Sequence, residues 1–391
     1  MVYKNYKILF MRMTLSLPIW SSGILSLIVM LSSCGKDDSK PLYGNVPKPP
    51  VIYNWAATAD SLQESTYITF LAADGKTFKQ NNTGSTNFHY WPNAHVLDVF
   101  TDVYLRTKND SYKQRMKSLL IGMKEKNGGT YINNYYDDME WLALSSLRAF
   151  EATNDQAYLD VATMLWTDIK TGLNDNQGGG IAWKKDQLGY KNTPANAPAI
   201  IFACRIYKLQ NRPEDLAFAK QLYGWLKGKL VDPTTGIVWD GINRNGDGII
   251  DKSWLFTYNQ GVFVGAALEL FKVTQETGYL SDAVRTANTS IKSNEIAPSG
   301  ILKNENQGDG GLFKGILVRY FTLLSKETAV TSTDRSNLTK FLKFNAETLS
   351  NKGIARPALT ISPDWNNKPS GNTDLTTQLS GLMLIEAAAS L

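Results

Sequence analysis

Cysteine and histidine are scarce in this sequence. Its 391 residues include two cysteines and two histidines. Cys34 follows an apolar N-terminal run, and Cys204 lies in the apolar stretch IIFACRIY. The chain therefore offers neither a disulfide framework nor the paired-cysteine spacing of a zinc site. His89 and His95 lie close together in the sequence, so no two histidines on separate loops are available for acid–base work.

Two common catalytic motifs are also missing. The triple glycine at 178–180 is not followed by GK[ST], which excludes a P-loop, and the sequence contains no GxSxG nucleophile motif.

The formal net charge is +5, and Lys4, Lys7 and Arg12 contribute three of these charges within the first 33 residues. The remaining chain is therefore close to neutral, which argues against a nucleic-acid-binding surface.

The first 33 residues are predicted to be a signal peptide. A basic start is followed by an apolar run at 15–31, which Pro18 and several serines interrupt. This pattern is typical of a leader and is too broken for a membrane span. The run ends in LSSC, which resembles the lipobox of bacterial lipoproteins. Cys34 is therefore predicted to be the lipidated first residue of the mature chain. The alternative is an ordinary secretory signal with a chance cysteine.

The residues after Cys34 bear on location and domain organisation. The sequence GKDD at 35–38 resembles the surface-export signal of lipoproteins in glycan-harvesting Gram-negative bacteria. Residues 34–50 contain four prolines and predict an extended, lipidated tether. Residues 51–391 are expected to form a single domain. We therefore expect a lipid anchor in the outer membrane with the domain at the cell surface. The periplasmic leaflet is the alternative.

The rest of the chain has helical periodicity throughout. Long alternating strand patterns are missing, and only residues 236–251 suggest short hairpins. The pattern therefore predicts an all-α fold. Segments with apolar residues three and four apart predict helices at 55–73, 94–107, 110–126, 138–153, 155–171, 194–210, 213–230, 259–274, 279–294, 309–326, 332–350 and 373–389.

The helical segments are arranged in pairs. Thr107, Thr153 and Thr274 each precede a tyrosine by five residues in similar short connections, and residues 207–217 are a degenerate copy. The other connections are long and rich in Gly, Asn, Tyr and Trp. Insertions in helical repeats fall on one face, which is often the binding face. Six hairpins are therefore predicted to close into an (α/α)6 barrel, with the long loops around one pocket.

Two adjacent aspartates occur in NYYDDMEW, residues 134–141. One explanation is structural, because Asp137 as a helix N-cap and Glu140 three residues later would form a capping box. The predicted barrel favours a functional explanation, since it gathers six polar–aromatic loops around Asp137 and Asp138. Adjacent carboxylates raise each other's pKa, so that one stays protonated while the other is ionised.

The same stretch resembles the double-aspartate motif of glycoside hydrolase family 76, the endo-α-1,6-mannanases. GGGIAWKK, YKNTPANAP, FTYNQGVFVGAALEL and GLFKGILVRY resemble later blocks of the family in the right order, over most of residues 50–391. The resemblance implies an (α/α)6 barrel, cleavage of α-1,6-mannosidic bonds with retention, and no cofactor. It also implies that Asp137 is the nucleophile and Asp138 the general acid/base.

Seven further residues at the predicted mouths of the inner helices are candidates for sugar contacts. Aromatic faces cover the apolar C–H face of a sugar ring, while amides and carboxylates bind its hydroxyl groups. The expected partner is an α-mannan polysaccharide or oligosaccharide. The candidates are Trp91, Tyr136, Trp183, Asn196, Tyr258, Gln260 and Asp309.

Residues 243–251 resemble a calcium-binding loop. Asn243, Asn245, Asp247 and Asp251 have workable spacing, but Trp254 occupies the position where such loops need a bidentate glutamate. A tight Asn-Gly and Asp-Gly turn is the alternative, and no metal ligand is assigned.

Two other functions stay open at this point. The chain could be another (α/α)6 carbohydrate enzyme that acts on a different glycoside. It could also be a non-catalytic glycan-binding lipoprotein whose aromatic loops form a stacking platform. The adjacent aspartates favour an enzyme, because a binding protein has no need for two neighbouring carboxylates.

Overall fold

The computed structural model describes residues 51–85 and 87–391. The predicted signal peptide, Cys34 and the tether to residue 50 lie outside the described residues. The α-helices of the described part are α1 Trp55–Phe70, α2 Tyr90–Thr107, α3 Asp110–Lys126, α4 Tyr136–Thr153, α5 Gln156–Ile169, α6 Ala197–Gln210, α7 Pro213–Leu230, α8 Thr257–Thr274, α9 Thr277–Lys292, α10 Gly310–Lys326, α11 Ser332–Thr348 and α12 Leu375–Ser390. Two small antiparallel sheets pair β1 Lys191–Asn192 with β2 Gly241–Ile242 and β3 Ile354–Ala355 with β4 Thr360–Ile361. Single turns of 3₁₀ or π helix occupy Lys170–Gly172, Asn176–Gly178, Thr193–Ala195, Pro298–Gly300 and Leu349–Gly353.

The even-numbered helices form an inner ring. Helix α2 packs against α4, and the series continues through α6, α8, α10 and α12 until α12 returns to α2. The outer helices α3, α5, α7, α9 and α11 each pack on the inner helix that precedes them, and α1 packs on α12. Residues 52–391 therefore form one closed (α/α)6 barrel, which confirms the predicted fold class.

The inner helices are buried over most of their surface because neighbouring helices surround them. Every residue from Thr257 to Phe271 in α8 is buried. Glycine allows α8 and α10 to approach closely, since a Cβ added to Gly261 would lie 2.5 Å from the Cα of Leu317. In the part of the chain that the structure describes, no helix has the length and apolar composition needed to cross a bilayer.

Three of the short connections between inner and outer helices share one design. Thr107 Oγ1 donates to the carbonyl of Val103 at 2.8 Å and accepts from the N–H of Asn109 at 3.2 Å. Thr153 and Thr274 make the matching pairs of bonds. The residue after each threonine has a left-handed φ of 55° to 60°, which ends the helix and reverses the chain. The repeat seen in the sequence is thus the turn between α2 and α3, between α4 and α5, and between α8 and α9.

Most helix bounds lie close to the predicted ones, and two differ for local reasons. Helix α2 begins at Tyr90 instead of 94, because Pro92 falls in the first turn, where no intrahelical N–H bond is required. Helix α6 begins at Ala197 instead of 194. The residues before it form a 3₁₀ turn in which Asn192 Oδ1 accepts from the N–H of Ala195 at 3.2 Å.

The inner helices run in one direction, so their N-termini meet at one end of the barrel and their C-termini at the other. Helix C-termini favour cations, and arginines point inward there. Arg148 and Arg319 share Asp102, at 2.7 and 2.6 Å, while Arg205 pairs with Glu269 at 3.0 Å. These ion pairs line a cavity of about 740 Å³. Because its arginines already have carboxylate partners, we assign this cavity a structural role.

Candidate active site

The acidic pair lies in the first turn of α4, at the end of the barrel where the inner helices begin. Tyr135 is the N-cap residue and makes no side-chain capping bond. Asp137 is therefore not the cap, and the capping-box explanation is wrong. Glu140 is fully buried, and the N–H of Tyr135, which a capping-box glutamate would bind, donates to Asn133 Oδ1 at 3.0 Å instead. Both aspartates instead face a cleft.

Two N–H donors hold Asp137. Its Oδ1 accepts from the backbone N–H of Asp138 at 2.9 Å, and its Oδ2 accepts from the indole Nε1 of Trp183 at 3.0 Å. Burial raises the pKa of Asp137 to about 7, the two hydrogen bonds oppose this rise, and the charges of Asp240 and Asp309 add to it. Asp137 therefore titrates near neutral pH.

Asp138 has a different environment. Burial raises its pKa well above the usual range, and the charges of Asp137 and Asp309 raise it further. Within the described residues, no hydrogen bond lowers the pKa of Asp138. Hydrogen bonds to a carboxylate favour its ionised form, so Asp137 ionises first and Asp138 keeps its proton. The site thus holds a carboxylate beside a carboxylic acid.

A cleft of about 520 Å³ contains both carboxyl groups. The starts of the inner helices and the loops before them form its walls, because these elements meet at one end of the barrel. Aromatic rings predominate in the lining, and most of its charged groups are acidic. The lining side chains are His89, Trp91, Tyr135, Asp137, Asp138, Trp141, Trp183, Tyr190, Asn192, Asp240, Arg244, Trp254, Phe256, Tyr258, Asp309 and Phe313.

Four of the seven predicted sugar-contact residues line this cleft, namely Trp91, Trp183, Tyr258 and Asp309. The indole Nε1 of Trp91 donates to Asp309 Oδ1 at 2.9 Å, which joins the first turn of α2 to the start of α10. Tyr258 stacks on Phe313 with ring centroids 3.8 Å apart. The rings are therefore held in place by protein contacts and form a preformed wall.

The other three predicted contacts, Tyr136, Asn196 and Gln260, are buried and do not line the cleft. Asn196 accepts from the N–H of Ile181 at 2.8 Å and donates to its carbonyl at 3.0 Å. Gln260 makes the same pair of bonds with Val238, at 2.9 and 2.7 Å. The ring of Tyr136 packs against the turn after α5. Consecutive side chains of a helix point about 100° apart, so a residue beside a cleft-lining residue can point away from the cleft. These three side chains contact neighbouring loops and do not face the cleft.

Asp240, which belongs to none of the motifs recognised in the sequence, also lies in the cleft wall. Burial raises the pKa of Asp240, while its hydrogen-bond donors oppose the rise. In the sequence, Asp240 is one acidic residue in the loop before α8. No sequence pattern indicates that the hydroxyl of Tyr190, 50 residues earlier, donates a hydrogen bond to it. Its carboxylate accepts from Tyr190 at 3.1 Å, Arg244 at 2.8 Å, Tyr258 at 3.2 Å and Asn259 at 3.0 Å.

The turn at 243–251 uses its side-chain oxygens internally. Asn243 Oδ1 accepts from the N–H of Gly248 at 2.8 Å, and Asp247 Oδ1 accepts from the N–H of Ile249 at 2.9 Å. This is the geometry of a tight turn. Across residues 51–85 and 87–391, no group of three or more His, Cys, Asp or Glu side chains is arranged to hold a metal ion.

An (α/α)6 barrel with an acid and a carboxylate side by side in an aromatic cleft has the construction of a hydrolase that acts on sugars. The chain belongs to glycosyl hydrolase family 76, whose sequence profile matches residues 54–390.

Solved structures share this fold along most of their length. The GH76A alpha-1,6-mannanase of Salegentibacter sp. HEL1_6 is 49% identical, with a TM-score of 0.84 over 86% of this chain and 99% of that one. An inactive variant of that mannanase, with two adjacent aspartates changed to asparagine, has been solved in complex with alpha-1,6-mannotriose. The Lin0763 protein of Listeria innocua is 40% identical, with a TM-score of 0.80 over 86% of this chain and 97% of that one.

Fungal relatives are more distant. A putative mannan endo-1,6-alpha-mannosidase of Schizosaccharomyces pombe is 23% identical over 269 residues, which is 62% of this chain and 60% of that relative. The chain thus spans less than two thirds of that relative's length.

Proposed function

We propose that this protein is an endo-acting glycoside hydrolase that cleaves α-1,6-mannosidic bonds of mannan with retention of configuration. The observation that carries the proposal is the pair Asp137 and Asp138, which share the cleft and have opposite protonation preferences. The choice of substrate is supported by the similarity to an alpha-1,6-mannanase along almost its whole length. The aromatic lining supports a sugar ligand, because ring faces pack on the apolar faces of pyranoses.

The proposed reaction has two steps. In the first, the Asp137 carboxylate attacks the anomeric carbon while Asp138 gives its proton to the glycosidic oxygen. The carbon–oxygen bond to the leaving sugar breaks, its electron pair stays on that oxygen, and a mannosyl ester of Asp137 forms. In the second, ionised Asp138 removes a proton from water, whose oxygen attacks the same carbon and releases Asp137. Two inversions give net retention.

The environments of the two carboxyl groups suit these roles. The N–H of Asp138 and the indole of Trp183 stabilise the ionised nucleophile, whereas burial and neighbouring charge keep Asp138 protonated. Retaining enzymes hold their carboxyl groups roughly 5–5.5 Å apart, and consecutive residues in a helical turn can reach that spacing. The inactive double Asp→Asn variant of the related mannanase supports a catalytic role for an adjacent aspartate pair, without distinguishing the two members.

The test is digestion of linear α-1,6-mannan by the purified protein. We expect internal cleavage to short oligosaccharides, with the α-anomer first in early proton NMR spectra. Asp137→Asn should abolish cleavage of all substrates. Asp138→Asn should spare activated aryl mannosides, since their leaving groups need no acid. Asp110→Asn, which alters a first-turn aspartate of α3 outside the cleft, is the matched control.

Three other results would change the proposal. The β-anomer appearing first would refute retention. Cleavage of a different glycoside, with mannan intact, would favour another (α/α)6 carbohydrate enzyme. Mannan binding without any shortening would identify a glycan-binding protein.

We also propose that a lipid on Cys34 anchors the domain to the outer membrane, at the cell surface. The LSSC and GKDD segments support this proposal. Cys34→Ala should abolish acylation and release the protein from membranes, whereas Cys204→Ala, in the buried part of α6, should do neither. Protease added to intact cells should remove the wild-type protein. Survival of the membrane-bound protein would indicate the periplasmic leaflet.

A further inference from the structure

The turn at 243–251 and the tryptophan that follows it have no part in the chemistry described above. Besides its internal bonds, the turn is tied to the loop before α6, because Asn243 Nδ2 donates to the carbonyl of Gly189 at 2.9 Å. The segment therefore holds Arg244 and Trp254 in fixed positions at the cleft, and both side chains line it.

The guanidinium of Arg244 is restrained on several sides. Its Nη2 donates to the Tyr190 hydroxyl at 2.5 Å and to Asp240 at 2.8 Å, and its Nε faces Asp251 at 3.3 Å. The same group lies over the ring of Trp254, 3.7 Å from the centroid. A planar guanidinium can stack on a ring and bind carboxylates at its edges simultaneously. Since two carboxylates offset its charge, its role is to hold Trp254 and not to attract an anion.

Trp254 is the exposed aromatic side chain of the cleft within the described residues. It is 39% exposed, whereas Trp91, Phe313 and Tyr258 are less than 10% exposed. Its ring centroid lies 5.5 Å from that of Phe256, which lies 5.1 Å from Phe313. The aromatic surface is therefore continuous from the floor of the cleft to its rim, where Trp254 ends it.

A series of side-chain contacts links Trp254 to the reacting carboxylate. Trp183 bonds to Asp137 at 3.0 Å, and Tyr190 packs edge-on against Trp183 at 5.7 Å. Arg244 then lies between Tyr190 and Trp254. Because Trp254 connects to Asp137 only through these three side chains, a sugar ring that rests on Trp254 would be a neighbour of the ring that Asp137 attacks.

We propose that Trp254, held by Arg244, is a distal subsite for an uncharged mannosyl unit of the same chain, at least one unit away from the bond that is cleaved. This inference rests on the proposed function and adds a determinant of chain length to it. The exposed indole offers an apolar face to the C–H groups of a pyranose. Its fixed position reduces the entropy lost on binding. The turn at 243–251 thus supports the tryptophan on which the sugar ring rests.

The experiment compares kcat/KM on α-1,6-mannooligosaccharides of increasing length for wild type and Trp254→Ala. For wild type, kcat/KM should rise once the oligosaccharide is long enough to reach Trp254. Trp254→Ala should lose this rise in kcat/KM. Its KM on long oligosaccharides should be about tenfold higher because stacking surface is lost, whereas its KM on an aryl mannoside should change much less. Arg244→Lys should show the same dependence on length to a lesser degree, since an ammonium cannot stack as a plane.

Trp239→Ala is the matched control. Trp239 is a half-buried tryptophan in the same segment that lies under Lys252, 4.6 Å from its Nζ, and does not line the cleft. Its removal should leave the dependence on length unchanged. Circular dichroism and Tm identify any variant that fails to fold, and Trp254→Phe then replaces Trp254→Ala, with a smaller loss in the same direction.

Two results would overturn the inference. One is an unchanged length dependence in Trp254→Ala. The other is an equal loss on all substrates, which would indicate a structural role. Calorimetric titration of mannotetraose into Asp137→Asn, with and without Trp254→Ala, tests the subsite without turnover. If the wild-type protein cleaves no mannan but Trp254→Ala still weakens mannotetraose binding, the subsite is supported and the proposed hydrolysis is wrong.

Discussion

The indole Nε1 of Trp183 donates a hydrogen bond to Oδ2 of Asp137 at 3.0 Å. Trp183 reaches Asp137 from the loop between α5 and α6, and its carbonyl accepts from the N–H of Tyr136 at 2.9 Å. Its ring packs edge-on against Tyr135 and Tyr190, with centroids 5.1 and 5.7 Å away. One residue from a distant loop thus orients the proposed nucleophile and forms part of the cleft wall.

Replacing Trp183 by Phe should raise the pKa of Asp137, because one of the two hydrogen bonds that favour its ionised form is lost. Asp137 must be ionised to attack, so the acidic limb of the kcat/KM profile should move to higher pH. A hydrogen bond to a charged group contributes about 1.5–3 kcal/mol, which corresponds to a loss of about 10- to 100-fold below neutral pH. The profile on a soluble mannooligosaccharide measures this change.

Trp166→Phe is a suitable control for that experiment. Trp166 Nε1 donates to Asp215 at 2.8 Å, which is the same kind of bond in a buried place outside the cleft. This variant should lose stability without a shift in the pH profile. Equal shifts in both variants, or none in Trp183→Phe, would contradict the role given to Trp183.

Asp309→Asn should move both limbs of the activity profile to lower pH. The charge of Asp309 raises the pKa of Asp137 and also that of Asp138. Removing the charge therefore lets Asp137 ionise, and Asp138 lose its proton, at lower pH. Asparagine keeps an oxygen for the Trp91 indole bond, so the wall should stay in place. If only the alkaline limb moves, Asp309 does not act on Asp137.

Asp137→Asn should stabilise the fold increasingly as pH rises. The pKa of Asp137 is raised from 3.8 to about 7, so its protonated form contributes stability that is complete below about pH 4 and lost as pH rises through 7. Asparagine cannot ionise and has no such loss. We expect a Tm roughly 2–4 °C above wild type at pH 8 and little difference at pH 4, by calorimetry. A Tm difference that is the same at pH 4 and pH 8 would contradict this.

Asn196→Ala should destabilise the protein, because it leaves the buried N–H and carbonyl of Ile181 without their partner. The cost of such unpaired groups is about 1–3 kcal/mol, and kcat should fall as the loop that carries Trp183 loosens. Denaturant unfolding and steady-state kinetics measure the two effects. Gln221→Ala, on the exposed face of α7, is the control. A raised KM with unchanged stability would instead restore Asn196 as a sugar contact.

Local patterns determined the barrel and the position of the acidic pair. The turn made by Thr107, with its copies at Thr153 and Thr274, depends on bonds between residues at most four positions apart. Helical periodicity reports which face of each segment is apolar. The neighbours Asp137 and Asp138 share a helical turn whatever the rest of the chain does. These features were readable from the sequence because the contacts that produce them are short-range.

Only the tertiary structure decided which polar side chains reach the cleft. Gln260 and Tyr258 are two residues apart in α8, yet one binds the backbone of Val238 and the other lines the cleft. Asp240 is held in the cleft wall in part by a hydrogen bond from Tyr190, which lies 50 residues away in the sequence. The direction of a side chain at a helix start depends on how that helix is rotated against its neighbours. That rotation is set by packing around the whole ring, where close approaches such as that of Gly261 to Leu317 fix each helix.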